Sequence, residues 1–406
     1  MLIKNVNIYT AEHVFSAGDL LIRDQRIVIN TAEEPERQSE LSGLLLPDEE
    51  IIDASGLMAL PGLVDLHFHG AVGHDFCDAD FDGLQAIAKY EAECGILAIC
   101  PATMAVSEAQ LNEIVDAAGS YEFSMNLQKN NSRLSEEGRA DLVGIYLEGP
   151  FLSPEKAGAQ DPSAMISADP ALFRRLQRRC GGLIKICVVA PEVPGNMDFI
   201  REMKDQVRIS LGHTVTDYDT AMEAYKEGAK ELTHLFNAMP GLSHHMPGPI
   251  PAALDSGADA ELIADGIHVH PSMVRLGFRM FGAEHLILIS DSMEATGCPD
   301  GDYTLGGTPV TVCGKKAVLT EDSGTIAGSV TNLYDCMKTA VLEMGIPLPD
   351  AVRAASENPA RALGIDRDYG SLHAGSYANV ILADQALNRH RIIQKGKTIR
   401  LGEQAV

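Results

Sequence analysis

The chain is short of cations: 32 Lys and Arg face 57 Asp and Glu across 406 residues, a formal net charge of −25 with histidine neutral. A carboxylate surplus of that size repels polyanions and anionic bilayers, which argues against nucleic acid and membrane surfaces as partners. Long apolar runs are missing too, since no window approaches the roughly 18 apolar residues of a membrane span. The opening MLIKNVNIYT lacks the basic stretch and apolar core of a secretion signal. Together these absences predict a soluble cytoplasmic protein. The eight cysteines (77, 94, 100, 180, 187, 298, 313 and 336) form no C-x-x-C pair, which speaks against a zinc ribbon or a disulfide framework. Their apolar surroundings predict reduced thiols in the core. There is no low-complexity linker and no solenoid-type repeat. H-E-x-x-H, G-x-S-x-G and G-x-x-x-x-G-K-[ST] are all absent, so zincin, serine-hydrolase and P-loop chemistries have no foothold.

What is present is enough apolar material, 45% of residues, for a large core. At roughly 150 residues per domain the length fits two or three domains, or one α/β barrel with appendages. Residues 1–57 read as short strands and turns, as in LIKNVNIYT and DLLIRDQRIVIN. From Leu63 short β-rich runs alternate with segments of helical period, the pattern of repeated βα units around a parallel sheet. Eight strand candidates follow: LVDLHFHG, ILAICPATM, LVGIYLEGP, LIKICVVAPE, VRISLGHT, ELTHLFNAM, LIADGIHV and LILISDSM. Helical stretches such as FDGLQAIAKYEAECG, NMDFIREMKDQ, DYDTAMEAYKEGAK and SMVRLGFRMFG separate most of them. The pattern predicts a (β/α)8 TIM-like barrel over 58–365, with a doubly wound open sheet as the weaker alternative. After the eighth strand, YTLGGTPVTVCGKKAVLTEDSG predicts an inserted hairpin. Residues 366–406 return to strands and are expected to join 1–57 in a small β-sandwich domain.

Active sites on such barrels lie at the carboxyl ends of the strands, so the informative residues are polar ones that close an apolar run. The first strand ends in His67 and His69, which alternation points to the same side. The third ends in Glu148, before a Gly149-Pro150 turn, the fifth in His213, the sixth in His234, the seventh in His268 and the eighth in Asp291. Five of the chain's 13 histidines thus sit at strand ends. Any one of them could be an ordinary core histidine; the set is what points to a site. Imidazole and carboxylate suit Zn²⁺ or Fe²⁺, and three or more at one barrel mouth fit a catalytic metal with a position left open for water. Such a metal polarises a carbonyl oxygen and makes water more acidic, which implies hydrolysis. Asp291 fits a general base that later protonates a leaving amine, or, more simply, an N-cap for the segment starting SMEAT.

These segments resemble the amidohydrolase superfamily and, within it, the N-acetylglucosamine-6-phosphate deacetylases. PGLVDLHFHG marks the superfamily. LEGPFLSPEKAGAQ, SLGHT, THLFNAMP, ADGIHV, ISDSM and GTIAGS carry the narrower resemblance, which spans nearly the whole chain. It implies release of acetate from an N-acetylglucosamine 6-phosphate, with one or two divalent ions per subunit and a homodimer. By the resemblance Glu148, His213 and His234 hold the main metal, with His67 and His69 available for a second. Asp291 is the acid/base and His268 helps to polarise the amide carbonyl. Ala159, Asn237, Ala238, Ile326, Ala327 and Gly328 line the sugar. The family often carries an arginine, about eleven residues after the strand-six histidine, for the neighbour's phosphate site; here that position is His245. Arginine offers a permanent bidentate fork, whereas histidine offers a partial charge. A related sugar therefore stays open as the substrate, either N-acetylgalactosamine 6-phosphate or an unphosphorylated N-acetylhexosamine. Cyclic amidases of the dihydroorotase kind commonly bridge two metals with a carboxylated lysine at a middle strand end, but Lys185 opens its strand. A sugar-binding sensor without catalysis would have no need of Asp291 or a complete ligand set.

Overall fold

The computed structural model describes residues 1–129 and 138–399. Its centre is a set of eight strands: β1 (Leu63–Asp65), β2 (Ile96–Ile99), β3 (Ile145–Leu147), β4 (Ile184–Val189), β5 (Arg208–Leu211), β6 (Glu231–Leu232), β7 (Asp259–Ile263) and β8 (Leu286–Ile289). β1 pairs in parallel with β2, and β3 to β8 pair in parallel in chain order. A parallel bridge between Ala102 and Tyr146 joins these two arcs. Beyond β8, the Asp291 N–H donates to the His67 carbonyl at 3.0 Å and the His69 N–H to that of Ser292 at 2.7 Å. All eight strands are therefore where the alternation of apolar runs predicts them, in a mixed α/β fold. They are shorter than the apolar runs, because the polar residues closing those runs have left the ladder to face the site.

The strands are buried on both faces, which explains their near-continuous apolar sequences. Val64, Ala98, Tyr146, Ile186, Val188, Ile263, Ile287 and Ile289 fall into one apolar cluster. Their alternate neighbours, among them Leu63, Ile99, Leu147, Cys187, Leu262 and Leu288, pack in another with the helices. The four helices read from the sequence are Phe81–Glu93, Asn196–Met203, Tyr218–Glu227 and Pro271–His285. Asp80 and Asp217 cap the first and third by accepting backbone N–H bonds, as short carboxylates at N-caps do.

Both chain ends meet in one eight-stranded sheet with the order 397–399, 389–394, 380–383, 58–61, 2–9, 15–23, 26–30, and with 51–53 also on 2–9. The expectation of a two-sheet sandwich is corrected here. Val380–Ala383 pairs antiparallel with Met58–Pro61, so a C-terminal strand lies beside an N-terminal one and the hydrogen bonding runs on unbroken. Ile3, Ile8, Leu20, Ala59, Val380 and Ile393 share its core. The inserted hairpin has a third strand, giving an antiparallel meander of Gly301–Leu305, Thr308–Cys313 and Lys316–Leu319. All eight cysteines are free; Cys313 on this meander is exposed and Cys298 half-buried, so the expectation of core thiols fails at these two. Among the described residues no helix is long and apolar enough to cross a membrane.

Candidate active site

The strand-end residues converge on one carboxylate. Glu148 is buried just past β3 and faces two pairs of imidazoles, one on each oxygen. Its Oε1 lies 3.1 Å from His213 Nε2 and 3.2 Å from His234 Nε2, and those two nitrogens are 3.1 Å apart. Its Oε2 lies 3.3 Å from His69 Nε2 and 3.6 Å from His67 Nε2. Asp291 closes the second group, with Oδ1 3.2 Å from His69 Nε2 and 3.8 Å from His67 Nε2.

The chemistry of these contacts shows what the cluster fits. His213 Nδ1 lies 2.7 Å from the Lys156 carbonyl, which can only accept, so Nδ1 carries the proton and Nε2 turns a lone pair towards Glu148 and His234. Acceptors facing acceptors in a dry site are stabilised only by a cation between them. His67 repeats the arrangement: Nδ1 is held by Glu261 at 2.8 Å, while Nε2 is buried with no hydrogen-bond partner. Two groups, His67–His69–Glu148 and Glu148–His213–His234, each bring ligand atoms within 4.8 Å of one another, as a metal ion requires. They share Glu148. Nitrogen and oxygen donors of this kind suit a divalent ion such as Zn²⁺ or Fe²⁺.

The backbone is bent to serve the site. His213, His234 and Asp291 have φ of 46°, 28° and 50°, a region that non-glycine residues rarely occupy and that clusters at functional sites. In the metal-free site burial pushes the Glu148 carboxyl up, but the His67 charge and the His213 and His234 rings beside Oε1 outweigh it and hold it well below the usual range. Asp291 behaves alike: burial raises it, while the His69 hydrogen bond and the charges of His67, His69 and His234 bring it below its ordinary value. Burial also lifts Asp65, beneath His67, to about 7 despite its bonds from Ser290 and the His67 N–H.

The other sequence-predicted residues lie on segments beyond the strand ends. His268 is anchored by Asp265, whose Oδ2 lies 2.8 Å from Nδ1 and whose Oδ1 accepts the N–H of Ile267 and His268. Asn237 and Ala238 follow His234, half-buried, and the Ala238 carbonyl accepts the Thr214 N–H. Ala159 sits on the loop whose Gly158 faces the His213 ring, at 3.4 Å from where a Cβ would lie. The segment Ile326, Ala327, Gly328 leads into Ser329, whose N–H donates to the Asp291 carbonyl at 2.7 Å. His245 is exposed beside His244, with ring centroids 4.0 Å apart. Among the described residues no hydrogen bond or ion pair ties it to the cluster. Lys185 lies second in β4, at the end away from the cluster. Sequence reasoning missed Glu261, Tyr146 and Asp265. The available signals were a carboxylate inside an apolar strand (Glu261) and an aspartate three residues before a strand-end histidine (Asp265).

A parallel-stranded α/β fold with a buried His/Glu/Asp cluster past its strand ends defines a metal-dependent hydrolase. The chain belongs to the amidohydrolase family, whose sequence model matches residues 58–399, and within it to the N-acetylglucosamine-6-phosphate deacetylases. It is 36% identical to the N-acetylglucosamine-6-phosphate deacetylase of Bacillus subtilis (strain 168), over 94% of this chain and 92% of that one. It is also 35% identical to the N-acetylgalactosamine-6-phosphate deacetylase of Escherichia coli O157:H7, over 83% and 86%. Among solved structures, an aspartate-to-alanine variant of N-acetyl-D-glucosamine-6-phosphate deacetylase from Mycobacterium smegmatis, in complex with N-acetyl-D-glucosamine-6-phosphate, aligns with a TM-score of 0.86 and 29% identity. That alignment covers 98% of this chain and 99% of that one.

Proposed function

We propose that this chain hydrolyses the acetamide of N-acetylglucosamine 6-phosphate to glucosamine 6-phosphate and acetate, as a step in amino-sugar catabolism. The observation that carries the reading is the Glu148 carboxylate set between two imidazole pairs with the Asp291 Oδ1 3.2 Å from His69 Nε2. Glu148, His213 and His234 would hold one divalent ion, Zn²⁺ or Fe²⁺, and His67 and His69 a second through the shared carboxylate. When bound, such ions polarise the amide carbonyl and acidify water, the help amide hydrolysis needs near neutral pH. Asp291 is kept ionised by its histidine neighbours, so it can take a proton from the attacking water and return it to the leaving nitrogen. Burial pushes His268 down, but the hydrogen bond and charge of Asp265 prevail and raise it, favouring an Nε2–H that donates to the carbonyl oxygen as negative charge develops there.

In this reading Ala159, Asn237, Ala238, Ile326, Ala327 and Gly328 line the sugar, and His245 serves the phosphate of a partner subunit in a homodimer. The two strand arcs close into a (β/α)8 barrel, with the sheet of the two chain ends as a second unit, and the enzyme works in the cytoplasm. The E. coli relative supports a second reading, in which the 4-epimer, N-acetylgalactosamine 6-phosphate, is the substrate. Acetate release from both 6-phosphates and both free sugars, with and without chelator, decides. The highest kcat/KM is expected for N-acetylglucosamine 6-phosphate. Preference for the galactosamine epimer would favour the second reading, and equal or better use of a free sugar would sink the 6-phosphate assignment. Absence of acetate from every sugar in metal-loaded protein would favour a sensor.

A further inference from the structure

Strand β7 carries a carboxylate, Glu261, with no exposed surface, between Ala260 and Leu262. A buried anion is costly unless it is paired and hydrogen-bonded, so its partners show what holds it there. Besides the neighbouring buried Glu231 carboxyl, which hydrogen-bonds to it, Glu261 faces three donors. Oε2 lies 2.8 Å from His67 Nδ1 and accepts the His234 backbone N–H at 3.2 Å, while Oε1 accepts the Tyr146 hydroxyl at 2.7 Å. Tyr146 also stacks on the His67 ring, with centroids 4.2 Å apart and planes 24° apart, and its hydroxyl lies 2.9 Å from Thr233 Oγ1.

We propose that Glu261 is a positioning residue for both halves of the cluster: it fixes His67 in the Nδ1–H tautomer and tethers the backbone of His234. The tautomer decides the function of the ring. With Nδ1–H given to Glu261, the Nε2 lone pair faces Glu148 and Asp291; with the proton on Nε2 the ring cannot act as a ligand. Tyr146 supports this by clamping the face of the ring while occupying the other carboxylate oxygen. With no exposed surface, Glu261 acts through His67 and the His234 backbone. The inference rests on the reading of the cluster as a divalent-metal site.

Two variants grade the effect. Glu261→Gln can keep an amide oxygen opposite His67 and turn its NH₂ to the Tyr146 hydroxyl oxygen, so the tautomer survives and only the charge is lost. Glu261→Met removes both. Zn²⁺ dissociation constants from chelator competition, taken with thermal midpoints of the metal-free proteins, form the test. The expected result is a loss of Zn²⁺ affinity of about 10–100-fold for Met, the range usual for such outer partners, and a smaller loss for Gln. Excess Zn²⁺ should restore kcat in the Gln variant. If the Met variant does not fold, Glu261→Ala, which likewise leaves His67 Nδ1 without an acceptor, takes its place. A purely structural role would lower the metal-free midpoint and leave Zn²⁺ affinity unchanged, and wild-type affinity in every folded variant overturns the proposal. A wild-type protein that takes up no Zn²⁺ would instead bring down the metal reading itself, and this inference with it.

Discussion

Asp291→Asn isolates proton transfer from architecture. Asp291 has φ 50°, and Asn is among the side chains that tolerate this region best, so the backbone has no reason to move. Its backbone N–H and carbonyl are tied to the His67 carbonyl and the Ser329 N–H, and both bonds survive the change. The amide keeps an oxygen for His69 Nε2, now 3.2 Å from Oδ1, but it no longer accepts a proton. A positioned acid/base contributes about 10²–10⁴-fold. At about 1.4 kcal/mol per tenfold, the barrier should rise by about 3–5 kcal/mol. kcat and kcat/KM should fall together, because the missing interaction belongs to the transition state. Asp291 lies outside both three-residue ligand groups, so metal content should hold. Asp291→Ala should lose the same activity and, in addition, about 1–2 kcal/mol of stability from a β-carbon at positive φ without a polar group to support it. The assay is acetate release against substrate concentration, with metal content measured on the same sample. A kcat within about threefold of wild type at full metal content would refute the role. Parallel loss of metal and activity would move Asp291 into the ligand set.

Three further outcomes follow from named geometry. Burial pushes His69 down, but Asp291 and Glu148 outweigh it and lift it to about 9, so metal must displace a proton there below that pH. His67 in the same ligand group is raised as well, so apparent Zn²⁺ affinity of that group should rise at least about tenfold per unit between pH 6 and 9, and a flat profile in chelator competition would exclude His69 as a ligand. Gly149→Ala puts a methyl 2.7 Å from the Ala105 Cα at a φ of 79°. Left-handed strain of about 1–2 kcal/mol and overpacking of about 1–3 kcal/mol add, so chemical denaturation should show a loss of about 2–5 kcal/mol; a loss under 1 kcal/mol would mean the loop shifts freely. In the metal-free protein Asp65 at about 7 binds its proton more tightly folded than unfolded, near 3.8. Its contribution is thus full below pH 4 and lost as pH rises to 7, and Asp65→Asn should flatten the stability profile across that window.

Much of this protein was determined locally. Apolar runs buried on both faces and helices with one apolar side are properties of neighbouring residues, so the strands, the helices and the polar residues closing β1, β3 and β5 to β8 could be read from the chain. The identities of His67, His69, Glu148, His213, His234 and Asp291 came with them. The tertiary structure decided how those residues meet. His67 and Glu261 are 194 residues apart, and no periodicity relates them. That Glu148 presents one oxygen to each imidazole pair, and that His213 spends its proton on the Lys156 carbonyl, depends on distances set by strand pairing and loop packing rather than by spacing along the chain. The junction of the two chain ends in one sheet is equally non-local, resting on the pairing of Val380–Ala383 with Met58–Pro61. A sequence specifies which groups are available for chemistry; hydrogen-bond direction, and with it which lone pairs face the metal position, exists only after folding has fixed the partners.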